Sequence, residues 1–265
     1  MEQNKDLKDR YDKIYLRGYE KYATNDGLEE SKNIISMMTD WRGLDVLEIG
    51  CGEGRLSAML ALEGARIEAV DYSEYAIIKA KQNYTIENLV FLTADYRDIG
   101  KECDVVVMQG VLEHLTNPYE ELKHILDTNV KEHGCLITSS PNFMNVRGIV
   151  WMTFQLLFDI KMSMNDLHEI YPWDMIMFCK KNNYKLDVRT CNDDWGNSKG
   201  CIADFNRRFK SLTFLPLVEQ VTGQKWDRDK IDKFLNTLGL STQYIQNQSP
   251  LRGANIIYKI TKDNA

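Results

Sequence analysis

The chain has 265 residues, 43% hydrophobic and 27% charged, which is enough apolar material for one substantial core. A formal net charge of -6 argues against a general binder of nucleic-acid backbones, because neutralising phosphates requires a basic face. No apolar run approaches the roughly 18 residues that span a bilayer, and residues 1–10 are too polar for an export signal, so a cytoplasmic protein is expected.

Cys51, Cys103, Cys135, Cys179, Cys191 and Cys201 form no C-x-x-C pair and read as reduced core thiols. Near the start of the chain, Tyr11, Tyr15, Tyr19 and Tyr22 recur at spacings of three and four, the repeat of one helical face. A helix over residues 28–38 follows. Residues 45–49 are then an apolar run that meets Gly50, Gly52 and Gly54 before Leu56, Met59, Leu60 and Leu62 return at helical spacing. This pattern predicts a buried strand, a sharp turn and a helix, with glycine where the backbone bends or a ligand comes close. The spacing is G-x-G-x-G, not the G-x-G-x-x-G of a pyrophosphate site, which disfavours a nicotinamide dehydrogenase.

A second strand over 65–70 ends in Asp71, nineteen residues after Gly52, where an acid is placed to accept from both hydroxyls of a ribose. Tyr72 follows as a candidate to pack on a base, and Ser73 caps a helix running to residue 83. The third strand, 88–93, closes in Ala94-Asp95-Tyr96, a carboxylate flanked by an apolar and an aromatic group, as an adenine pocket requires. Asp95 is preferred to Asp98 because it falls at the strand end. A fourth strand over 103–109, an apolar run typical of a parallel sheet covered on both faces, delivers Gln109-Gly110-Val111-Leu112-Glu113-His114 to the same edge of the sheet. Asn117 and Pro118 then suit the cap and first position of a helix that carries His124 and ends near His133.

The fifth strand, 134–139, runs into Ser140-Pro141-Asn142, and residues 143–160 are strongly apolar, either core or a cover for the substrate. Asn165 or Asp166 caps a further helix with His168 near its start, and a sixth strand occupies 186–190. Two helices, 202–221 and 229–238, precede the last strand at 255–260. The interval is longer than a hairpin needs, so residues 195–250 read as an inserted helical cap. Alternating strands and helices give an α/β fold, a doubly wound, Rossmann-like seven-stranded sheet, mostly parallel with an antiparallel last strand. One domain is expected: segment 1–40 in front, a core over 44–194, the cap, and a final strand and tail over 251–265.

Glu48, the glycine turn, Asp71, Asp95-Tyr96 and the segment after strand four occur in the order of the motifs of class I S-adenosylmethionine-dependent methyltransferases, which this chain resembles over roughly residues 44–190. Within that superfamily, Val111-Leu112-Glu113-His114 and Ser140-Pro141-Asn142 are most similar to small-molecule O-methyltransferases of the ubiquinone-biosynthesis type. The resemblance implies S-adenosyl-L-methionine as cofactor and S-adenosyl-L-homocysteine as product. It implies contacts from Glu48, Gly50, Cys51, Gly52, Gly54, Asp71, Tyr72, Ala94, Asp95, Tyr96 and Gln109, with Tyr11 and Tyr19 in a lid over the cofactor. His114 and His168 are the candidate general bases, since histidine titrates in the useful range. The quinone-type enzymes begin the Glu-His motif with another acid, where this chain has Gly110, so metal-independent transfer is expected. The expected acceptor is a small molecule with a hydroxyl or phosphate-type oxygen, such as a quinol, a sugar or a phosphorylated glycan precursor, and the expected state is monomer or homodimer. An RNA or protein methyltransferase and a non-catalytic cofactor-binding partner subunit stand as alternatives.

Overall fold

The computed structural model describes residues 12–13, 27–160, 166–192, 198–209, 214–223, 225, 228–245 and 252–262. In chain order it contains α1 (Leu28–Ile35), β1 (Asp45–Ile49), α2 (Arg55–Leu62), β2 (Arg66–Asp71), α3 (Glu74–Asn83), β3 (Leu89–Thr93), β4 (Cys103–Gln109), α4 (Pro118–Asn129) and β5 (Val130–Pro141). There follow α5 (Val146–Phe158), α6 (Pro172–Lys181), β6 (Tyr184–Cys191), α7 (Ser198–Phe209), α8 (Phe214–Thr222), α9 (Arg228–Ile245) and β7 (Asn255–Lys262).

The strands form one seven-stranded sheet in the order β3-β2-β1-β4-β5-β7-β6. The pairs β1·β2, β1·β4, β2·β3 and β4·β5 are parallel, and β7 is the antiparallel strand. Val46, Leu47 and Ile49 of β1 and Val105–Met108 of β4 are buried, which explains the near-continuous apolar runs of these central strands. All six cysteines are buried thiols that form no disulfide. Among the described residues no helix is long and apolar enough to cross a membrane.

The chain divides into two compact units. The first contains Met1–Ser140, Asp174–Val188 and Ile257–Ala265, and the second Pro141–Trp173 and Arg189–Ile256. Several local expectations change in the first. β5 begins four residues ahead of the expected start, because His133, at φ 64, lies in a register irregularity opposite Cys103 and Val105 that lets the strand continue past it. His133 is therefore an exposed strand residue rather than a helix end. Asn117 does occupy the N-cap of α4 with Pro118 behind it, but its side chain makes no capping hydrogen bond.

In the second unit the apolar stretch 143–160 resolves into two faces of α5 and its approach. Phe143, Trp151 and Ile160 join Cys201, Phe205 and Phe209 of α7 and residues of α8 and α9 in a buried cluster. The Trp151 and Phe205 rings lie 5.6 Å apart, and Phe205 and Phe209 5.0 Å. Leu156 and Leu157, by contrast, are 67% and 69% exposed. The expected helix over 202–221 is two helices, α7 and α8, and residues 210–213 between them lie outside the described set.

Asn142 and Asn145 close the entry to α5. Both donate through Nδ2 to the carbonyl of Gly253, at 2.7 and 2.6 Å, and Asn145 Oδ1 accepts from Gly148 N at 2.7 Å as the helix N-cap. Neither Gly148 nor Gly253 has room for a Cβ, which would come within 2.3 Å of backbone atoms. Asn145→Ala removes two buried bonds at once and should lower the unfolding free energy by about 1–3 kcal/mol. Urea denaturation measures this, and an unchanged midpoint would refute it.

Candidate functional site

The first unit brings the expected cofactor motifs to the carboxyl end of its strands. Register pairs Ile49 with Val70 and Asp71 with Thr93, so β1, β2 and β3 end side by side. The glycine turn is pinned there because Gly50 N and Cys51 N both donate to Val70 O, at 2.8 and 3.0 Å. Gly50, Gly52 and Gly54 have φ of 73°, 53° and 83°, a region that disfavours a side chain. Two of these glycines are also closed off by the protein itself. A Cβ on Gly50 would lie 2.5 Å from Val111, and one on Gly54 2.5 Å from Phe91.

Asp71 holds this edge together. Its Oδ2 accepts from Gly52 N at 2.9 Å and its Oδ1 from Ser73 N at 2.8 Å, so one buried carboxylate ties the turn after β1 to the turn after β2. Burial pushes its carboxyl up to about 6; the hydrogen bonds from Ser73 and Gly52 oppose this shift, and the nearby Asp12 charge adds to it. Asp12 Oδ1 accepts from Ser73 Oγ at 2.5 Å, while Ser73 Oγ caps α3 by accepting from Ala76 N. Glu48, deep in β1 beside Ala69 and Val107, is hydrogen-bonded by Ser57 from the first turn of α2. Complete burial raises its carboxyl to about 8, and the charge of Asp71 contributes. The Cys51 thiol is raised by burial and then by both carboxylates.

Tyr72 is half-buried, and desolvation raises its phenol. Ala94 N donates to Asp71 O at 3.1 Å, which sets Ala94-Asp95-Tyr96 beside that acid. Asp95 lies two residues beyond the strand end instead of at it. It caps the 3-10 turn Tyr96–Asp98, accepting from Arg97 N at 3.0 Å and pairing with the Arg97 guanidinium at 3.1 Å. That guanidinium also sits 5.2 Å from the centroid of the buried Tyr96 ring. Gln109, at the end of β4, receives a hydrogen bond from Ser31 Oγ at 2.8 Å and donates to Gly27 O at 3.3 Å, so it anchors the chain entering α1. Beyond it, Leu112–His114 form a 3-10 turn in which Glu113 is buried and His114 half-buried.

His168 belongs to the second unit and precedes α6 in non-helical backbone, so the expected helical position is corrected, as is capping by Asp166. Tyr11, Tyr19 and Asn165 lie outside the described residues. Sequence reading missed Asp12, Ser31 and Ser57. Ser57 carried a usable signal, a hydroxyl in the first turn of the helix that follows an acid-bearing strand; Asp12 carried none, because its partner is 61 residues away.

The buried acids make stability depend on pH in a definite sense. Between about 4.5 and 8 the folded chain keeps a proton on Glu48 that the unfolded chain releases, so stability present at low pH is lost as pH rises toward 8. Asp71 acts in the same direction between 3.8 and about 6. Denaturation from pH 6 to 8 should therefore show falling stability, by up to about 1.4 kcal/mol per pH unit, and Glu48→Gln should flatten it. A slope that survives in the variant contradicts this assignment.

The geometry agrees with comparisons to known proteins. Residues 41–199 match the family model of a methyltransferase domain. A ubiquinone biosynthesis O-methyltransferase of Rickettsia prowazekii (strain Madrid E) is 31% identical over 115 residues, covering 42% of this chain and 45% of that protein. One from Coxiella burnetii (strain RSA 493 / Nine Mile phase I) is 33% identical over 117 residues, 41% and 48% of the respective chains. The chain thus spans just under half the length of these curated relatives. The crystal structure of an S-adenosylmethionine dependent methyltransferase from Mesorhizobium loti shares the fold, with a TM-score of 0.53 at 13% identity over 89% of this chain and 99% of that one. Because the matched residues contain every strand from β1 to β6 and the turn that Asp71 holds, the chain belongs to the methyltransferase domain family, in the class I S-adenosylmethionine-dependent superfamily.

Proposed function

We propose that this chain methylates an oxygen atom of a small-molecule acceptor. The observation that carries the reading is the buried Asp71 carboxylate, bonded to the backbone of the glycine turn and to Ser73 at the end of β2. The residues present fit a nucleoside cofactor. Each Asp71 oxygen uses one lone pair on a backbone N–H and keeps another for a ribose hydroxyl. Ala94, Asp95 and Tyr96 follow β3 beside it and suit the base, while the turn and Glu48 suit the amino-acid end. The names of the curated relatives support oxygen as the atom methylated.

When bound, S-adenosylmethionine supplies a methyl group on a positively charged sulfur. The protein's own work is to orient the acceptor, exclude water and remove a proton. Alignment of the reacting groups contributes about 7–11 kcal/mol of barrier lowering in favourable cases. A positioned base adds about 10²–10⁴ in rate. His114, held after β4 by its N–H to Val111 O at 2.9 Å, is the base we favour; His168 is the second candidate.

Calorimetry with S-adenosylhomocysteine tests the cofactor assignment. Asp71→Ala should weaken binding by about 10- to 100-fold, the cost of losing one or two hydrogen bonds to a charged group. Wild-type protein that fails to bind would sink the proposal. With deuteromethyl-labelled cofactor and a metabolite extract, His114→Ala should lower the rate of label transfer by about 10²–10⁴ while its affinity for S-adenosylhomocysteine stays unchanged. Label appearing in RNA or protein instead of small metabolites would overturn the choice of acceptor.

A further inference from the structure

Ser73 joins the turn after β2 to a distant part of the first unit. It is fully buried, and each of its polar groups is engaged. Its N–H donates to Asp71 Oδ1 at 2.8 Å and its carbonyl accepts from Ile77 N at 3.2 Å. Its hydroxyl accepts from Ala76 N at 3.3 Å and donates to Asp12 Oδ1 at 2.5 Å. Three of these bonds are local. The fourth reaches a residue 61 positions earlier in the chain, and all the groups concerned belong to the first unit.

A serine hydroxyl has one proton and two lone pairs on a rotor whose direction its partners set. Ala76 N can only donate and a carboxylate oxygen only accept, so the two together fix that rotor. Local sequence supplies the capped helix but not the acceptor for the proton. Without Asp12 the hydroxyl is no longer held in one direction, the cap on α3 loosens, and the Ser73 N–H that fixes Asp71 Oδ1 is placed less firmly. Asp12 also acts electrostatically on both groups expected to meet a nucleoside. Burial first, and the Asp12 charge after it, raise the Asp71 carboxyl; burial, then the charges of Asp71 and Asp12, raise the Tyr72 phenol. A second carboxylate beside a buried one is unfavourable for folding, because like charges repel. Hydroxyl donors of a ligand on Asp71 lessen that repulsion.

We infer that Asp12 is a positioning residue for the cofactor ribose: by orienting the Ser73 hydroxyl it holds the Asp71 carboxylate in the direction that receives the two ribose hydroxyls. That the ligand is the S-adenosyl cofactor rests on the methyl-transfer reading above; that Asp12 holds the Ser73 turn does not.

The test uses the full chain and calorimetry with S-adenosylhomocysteine and with its analogue lacking both ribose hydroxyls. Asp12→Ala should weaken S-adenosylhomocysteine binding by about tenfold, whereas Asp12→Asn, which keeps an acceptor oxygen for Ser73, should stay within about threefold of wild type. The analogue has no ribose donor for Asp71, so its affinities for wild type and Asp12→Ala should agree within about twofold. Amide hydrogen exchange at Ser73 and Ala76 gives a readout without ligand, and should quicken by about tenfold in Asp12→Ala but not in Asp12→Asn. Unchanged S-adenosylhomocysteine affinity in Asp12→Ala, an equal loss for both ligands, or a loss in Asp12→Asn as large as in Asp12→Ala overturns the role. Wild type that binds no S-adenosylhomocysteine would instead remove the methyl-transfer reading; the exchange rates would then decide whether Asp12 holds the turn, and unchanged exchange in Asp12→Ala would refute it.

Discussion

The two hydrogen bonds that Asp71 accepts, from Gly52 N and Ser73 N, are the constraint on which the candidate site depends. A carboxylate buried at a strand end is unfavourable in itself, and its raised pKa records that cost. The backbone donors offset part of the penalty and in return are fixed in direction. One side chain therefore shapes both turns that a nucleoside would meet. Glu48 repeats the theme a layer deeper, where its bond with Ser57 joins β1 to α2. Acids stacked at a sheet edge with no cation bonded to them among the described residues are poor for folding and well suited to a ligand with several hydroxyl donors.

The glycines of the turn serve this arrangement from inside the protein. Gly50 admits Val111, the first residue after the β4 turn, and Gly54 admits Phe91 of β3. Their lack of a side chain thus lets the ends of three strands converge, in addition to permitting positive φ. The glycine pattern and the positions of Asp71 and Asp95 are consequently one feature: the strands come close together at that end.

The second unit is built on different physics. Its core is aromatic, centred on Trp151, Phe205 and Phe209, and its entry is locked by Asn142 and Asn145 on the Gly253 carbonyl. Buried polar bonds of this kind define one geometry where a purely apolar core would admit several. Within that frame the buried Asp204 carboxylate accepts from Arg147 of α5 and from Arg207 of its own helix, which ties α5 to α7.

The sequence alone determined the strand and helix alternation, the turn at Gly50 to Gly54, the acid at residue 71 and the Ser73 cap, because each is a local pattern of period, breaker or capping residue. Only the tertiary structure decided which partners those residues take. Asp12 on Ser73, Ser31 on Gln109 and Arg147 on Asp204 are separated by 61, 78 and 57 residues, and no window of sequence contains both members of such a pair. Strand length at His133, the commitment of Asp95 to Arg97 and the split of residues 143–160 between core and surface were settled in the same way, by packing against distant elements that override local preference.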